Sequence, residues 1–170
     1  MALTSRPAPK NPFDVSGPYA TAMRLALAMA LVPGLGTALL LVLVAGVGLP
    51  LTIGWPQLAQ AHGQIQALGF VLLFIVAVGL QLFPRFLGAP LRHPSRATWG
   101  GWGLSLALVL RLVAQPLGPG PLRAAGLALA GVLLPASVLL AGSAFHGLSG
   151  RSVQPAHGPS AAWRRFMLVG

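Results

Sequence analysis

Four long apolar stretches organise the chain, divided by short polar or Pro/Gly-rich breaks. Within each stretch the apolar residues run on without alternation, which excludes an outer-membrane barrel, whose strands alternate lipid-facing and lumen-facing positions. Each stretch can supply the roughly 20 helical residues that a bilayer crossing needs. Backbone groups in hydrocarbon must pair with one another, so helices are the expected form. The pattern therefore predicts an all-α integral membrane bundle of about four transmembrane helices, over residues 19–49, 60–83, 98–117 and 122–148. Pro33-Gly34-Leu35-Gly36 interrupts the first span and predicts a kink, because proline removes a backbone donor and crowds the preceding turn. Pro135 falls near the middle of the fourth span. The segment Pro50 to Ala59 reads as an outer loop, with Trp55 as an interfacial anchor.

Residues 1–18 form a polar tail with Pro7, Pro9 and Pro12. The apolar run behind it is far longer than the roughly 7–15 residues of a signal-peptide core, so it reads as a retained span. At the other end, residues 149–170 are polar and then close on Trp163-Arg164-Arg165-Phe166-Met167-Leu168-Val169. A basic, aromatic flank before an apolar start reads as the opening of a fifth helix, and the expectation is a piece of a longer protein.

Charge sharpens this picture. Only 7% of the 170 residues are charged, against roughly 25% in soluble domains. The net charge is +10, with Asp14 the single acid. The positive residues sit at the ends of apolar runs rather than on one clustered basic face. They therefore point to topology and anionic lipid, not to nucleic acid. With the N-terminus inside, nine of the eleven Lys and Arg fall on inner flanks, and only Arg111 and Arg123 fall outside. That bias predicts a cytoplasmic N-terminus. The chain has no Cys, which excludes disulfides, thiolate metal sites and iron–sulfur clusters.

Most of the interior is chemically mute, with no carboxylate for acid–base work and no nucleotide-binding, hydrolase or zinc motif. The exception is the second span, Ala61-His62-Gly63-Gln64-Ile65-Gln66-Ala67-Leu68-Gly69-Phe70 followed by Gln81. At about 100° per residue, Gln66 lies about 40° from His62, and Gly63, Phe70, Ala77 and Gln81 fall within about 100° on the same face. Gln64 points about 200° away. Polar groups inside a span usually face the bundle. Neutral imidazole is a good axial ligand for haem iron or copper, and Gly63 beside it would admit a flat macrocycle. The alternative is an interfacial His62 hydrogen-bonded to its surroundings, with the glutamines bonding across helices. Arg111 is a candidate partner for a haem propionate, whereas Arg85 reads as a lipid-phosphate anchor. His146 is expected at the inner boundary, and His93 and His157 in solvent. Gly126, Ala130, Gly131 and Ala136 would permit close helix contact, within the chain, in an oligomer or in a larger membrane complex.

The run Ala61 to Phe70, with Phe74-Ile75 and Leu82-Phe83-Pro84-Arg85-Phe86-Leu87-Gly88, resembles the NnrS family of bacterial membrane proteins. It also looks like the second helix of haem–copper oxidase subunit I, where a histidine at the corresponding end ligates low-spin haem. The likeness is concentrated in Ala61 to Pro90. The family's H-x-H pair has its first histidine at His62, while its second position here is Gln64. The resemblance implies a bacterial cytoplasmic membrane protein of nitric oxide response or respiratory gas handling. It implies b-type haem, or copper, with His62 as ligand and Gly63, Gln66 and Arg111 around the cofactor. Two other readings compete. One is a non-catalytic membrane scaffold or assembly subunit that keeps the fold without metal. The other is a small channel or transporter working through the proline kinks, but it lacks the charged intramembrane groups that ion-coupled carriers use.

The charge bias makes a direct prediction. Reporter fusions after Gly54, His93, Gly120 and His157 should read outside, inside, outside and inside. An inside reading at Gly54 would invert the orientation and move His62 to the other leaflet.

Overall fold

The computed structural model describes residues 17–48 and 54–146. Among these residues the fold is all-helical, built from α1 (Pro18–Val47), α2 (Trp55–Leu87), α3 (Pro94–Ala114) and α4 (Pro121–Ser143). All four are long and apolar enough to cross a membrane. Most of the N-terminal tail, the centre of the outer loop and the C-terminal segment with its expected fifth helix lie outside the described residues.

Proline starts every helix: each of the four has one in its first two positions. The ring fixes φ near its helical value, and the missing N–H falls where a helix has no acceptor for it anyway. This is why α2 begins at Trp55-Pro56, inside the segment expected as loop. At its other end α2 continues through Pro84 to Leu87 rather than stopping at Phe83. It ends where Gly88 takes φ 62°, just as Gly48 with φ 68° follows α1. Those left-handed positions suit glycine because it has no Cβ.

The first half of α1 is central. Leu25, Ala26 and Met29 bury against Ile65 and Leu73 of α2 and Leu104 and Leu108 of α3. Nearer the other end, Ala22, Ala77, Leu80, Ala97 and Ala144 form a second cluster. There Phe83 and Phe145 meet edge to face with ring centroids 5.6 Å apart. The second half of α1 buries only Thr37 and presents Leu35, Leu39, Val42 and Val47 outward.

α3 and α4 form the most extensive pair, running antiparallel. Hydrocarbon gives helices no hydrophobic reason to associate, so close van der Waals approach must hold them. A Cβ placed on Gly100 would stand 2.6 Å from the Ala141 amide nitrogen and 2.7 Å from the Ser137 carbonyl. Gly126 packs as tightly on Ala114, and Ala130 is buried. Gly131 and Ala136, expected with them in a close contact, face outward instead. They lie off the stripe Gly126, Ala130, Ser137, Ala141 that meets α3.

The contrast predicts two outcomes. Gly100→Val should destabilise the α3–α4 pair by about 1–3 kcal/mol, the usual cost of overpacking, read as a lower unfolding midpoint in detergent. Gly131→Ala, which meets nothing within 4 Å, should leave that midpoint unchanged.

Candidate functional site

Pro33 sits inside α1 and cannot bond back to Met29. The helix absorbs this by widening over Ala30–Gly34, where the Leu35 N–H reaches the Ala30 carbonyl five residues back. Such a π-turn is the standard relief for a disrupted ladder. The widened turn leaves carbonyls to be satisfied, and two side chains serve them. The Thr37 hydroxyl lies 2.6 Å from the Pro33 carbonyl, to which it donates, and 3.0 Å from that of Gly34. His62 of α2 brings Nδ1 to 3.1 Å from the Gly34 carbonyl and 3.0 Å from Thr37 Oγ1.

These distances assign the proton. A carbonyl oxygen only accepts, so His62 Nδ1 must carry hydrogen to bond Gly34. Thr37 spends its own hydrogen on Pro33, and its oxygen can then share the Nδ1–H. In the neutral imidazole Nε2 is left with the lone pair, and no hydrogen bond to Nε2 occurs among the described residues. A ring held through Nδ1–H on a backbone carbonyl, with Nε2 bare, is the arrangement in which histidine serves as a metal ligand. His62 is half-buried. Gln66 lies on the same flank, its Nε2 2.8 Å from where a Cβ on Gly34 would stand, and the Met29 carbonyl of the widened turn is 2.9 Å from that point, so glycine fits there.

The face of α2 differs from the one predicted at a constant 100° per residue. A second π segment covers Ile65–Leu72 and lies against the one in α1. Its i→i+5 bonding winds more residues into each turn, which rotates everything beyond it. The buried stripe is Leu58, Ala61, Ile65, Gly69, Leu73 and Ala77, and from Ile65 on the widened turns keep it at an even spacing of four residues. His62 and Gln66 flank it on the α1 side. Gly63 is exposed with open space around it, so it lines no packed interior. Gln64, expected on the far face, is half-buried with its Oε1 enclosed. Phe70 packs on the central core, and Gln81 lies most of α2 away from His62.

Arg111 belongs to another seam. Gln60 accepts a hydrogen bond from Gln115 Nε2, which fixes the Gln60/Gln64 flank of α2 against α3. Arg111 lies one turn before Gln115 and is half-buried with its Nε enclosed, while His62 bonds to α1. The expected pairing of Arg111 with a cofactor on His62 therefore finds no support in the packing. Among the described residues no three His, Cys, Asp or Glu side chains come together as a metal cluster. His146 is exposed at the end of α4.

Thr37 and Gly34 are the site residues that the polar pattern of α2 could not show. Their signal was a threonine four residues after a proline within a span, placed to bond back to the i−4 carbonyl. Comparison with protein-family profiles, with curated proteins and with solved structures finds no match to this chain.

The rotated face can be measured, since a chain without cysteine allows single-cysteine spin labels with no background. Labels at Ala61, Ile65 and Leu73 should be shielded from oxygen in the bilayer, and labels at Ala67, Val71 and Ile75 should be open to it. Equal accessibility at Val71 and Leu73 would contradict this packing of α2.

Proposed function

We propose that the protein binds b-type haem through His62 and acts in nitric oxide response or respiratory gas handling, as the NnrS-like sequence of α2 suggests. The observation that carries this reading is the His62 Nδ1–H held on the Gly34 carbonyl, which leaves Nε2 as a lone-pair donor. Haem suits a single imidazole because the macrocycle would itself supply four nitrogen donors to the iron, leaving the protein to provide one. Copper suits it less, since several protein donors would have to converge, and among the described residues no group of three His, Cys, Asp or Glu does. Thr37 and Gly34 would orient the ring, and Gln66 would border the ligated group. Bound haem would supply the iron chemistry toward a diatomic gas; the chain supplies the donor atom and its orientation. In this reading the N-terminus is cytoplasmic and His62 lies in the outer half of a bacterial cytoplasmic membrane.

The test is the visible spectrum of protein purified from haem-supplied cells. A Soret band that shifts on reduction is expected. His62→Ala should abolish it while the protein still inserts, because one neutral side chain matters little to helices this apolar. Thr37→Val should keep haem bound and change its potential only modestly, as loss of a partner behind a ligand does. A wild-type spectrum in His62→Ala at full occupancy would remove His62 as the ligand. No Soret band in the parent protein would favour the scaffold reading, in which His62 serves only to bond α1 to α2.

A further inference from the structure

The seam between α2 and α3 holds polar groups that the chain itself does not satisfy. Gln60 is bonded to Gln115, and deeper in the bundle Leu108 reaches Gly69. Between these two contacts the antiparallel helices bring Gln64 level with Arg111 and Leu112. Gln57, Gln60 and Gln64 share one flank of α2, and Arg111 and Gln115, one turn apart, share the facing flank of α3. Gln115 is only 5% exposed, and its Oε1 has no partner. Gln64 Oε1, Gln57 Oε1 and Arg111 Nε are likewise enclosed without one. At the same end of the bundle, Arg123 in the first turn of α4 also has an enclosed, unpartnered Nε. The only acid of the sequence, Asp14, lies outside the described residues. Among the described residues there is no carboxylate to answer either guanidinium.

Enclosed donors and acceptors without partners are costly, and here both kinds occur together beside uncompensated positive charge. The complement is a group that is anionic and also carries hydrogen-bond donors. The helix ends place it at the bilayer boundary, where phospholipid headgroups lie. Phosphatidylcholine offers a phosphate, but its quaternary ammonium has no N–H for a glutamine carbonyl. Phosphatidylethanolamine has N–H donors but brings a further positive charge toward two arginines. A headgroup with a phosphate diester and free hydroxyls meets all the requirements: the phosphate takes a charge-assisted bond from Arg111, and the hydroxyls donate to Gln64 and Gln115. The geometry points to a binding site for one phosphatidylglycerol-type lipid in the α2–α3 seam, on the flank of α2 away from His62 and independent of any cofactor there.

The test is native mass spectrometry of the full chain, purified in detergent and offered equal amounts of phosphatidylglycerol, phosphatidylethanolamine and phosphatidylcholine. Phosphatidylglycerol should be retained with a preference of about tenfold over phosphatidylcholine, whose quaternary ammonium cancels the phosphate charge facing Arg111 and offers the glutamines no donor. Arg111→Gln should remove most of that preference, and Gln115→Leu should reduce it. Gln81→Leu, toward the other end of α2, should leave it intact. Circular dichroism would show that each variant remains helical. Equal retention of the three lipids by the parent protein would overturn the proposal, and this outcome does not depend on any variant folding. So would an Arg111→Gln protein with unchanged preference, or displacement of the lipid by inorganic phosphate alone, which would mean a site for free anions.

Discussion

A backbone carbonyl in hydrocarbon has no water to turn to, and that constraint governs how α1 and α2 meet. Pro33 breaks the ladder of α1 within an apolar span, where an unpaired polar group costs several kcal/mol. Widening the helix over Ala30–Gly34 restores part of the ladder. Thr37 answers Pro33 from within the same helix, and His62 answers Gly34 from the next. The second bond ties two spans together at one level. It also demands that they approach closely, which Gly34 permits against Gln66 and Gly69 permits against Met29. The imidazole is thus fixed by the repair of a proline defect, and its bare Nε2 follows from that repair. A structural account of His62 and a ligand account therefore share one geometry. They differ only in what, if anything, meets Nε2.

The existence of four spans was legible in the sequence because apolar length and scarcity of charge leave no other fold. The break at Pro33 was legible for the same covalent reasons that produce it. The helix starts were less so. Trp55-Pro56 looked like an interfacial loop because Trp55 reads as a boundary anchor, although proline in a first turn is a start signal that all four helices share. The face of α2 was not legible beyond Ile65. No proline or charge marks Ile65–Leu72 as π-helical. The projection put Gly69 and Leu73 within about 20° of His62, and both are buried, but the buried face runs through Ala61 and Ile65 rather than His62 and Gly63. Gln66, in the first turn of the π segment, still shares a flank with His62.

The polar residues at this end of the bundle sort into two flanks of one helix. On one side His62 and Gln66 meet a proline break whose needs are purely for donors. On the other, Gln57, Gln60 and Gln64 meet Arg111 and Gln115, where charge and amides outnumber the bonds made among them. Between the two lies the apolar stripe Ala61, Ile65, Gly69, which no polar side chain crosses. The sides therefore cannot neutralise each other. Sequence spacing put Arg111 near His62 because it counts only depth along the helices, and both do lie toward the same end. Which side of α2 each residue occupies is set by the neighbours that α2 packs against. With α1 on one flank and α3 on the other, residues two positions apart, His62 and Gln64, are committed to different partners and to different chemistry.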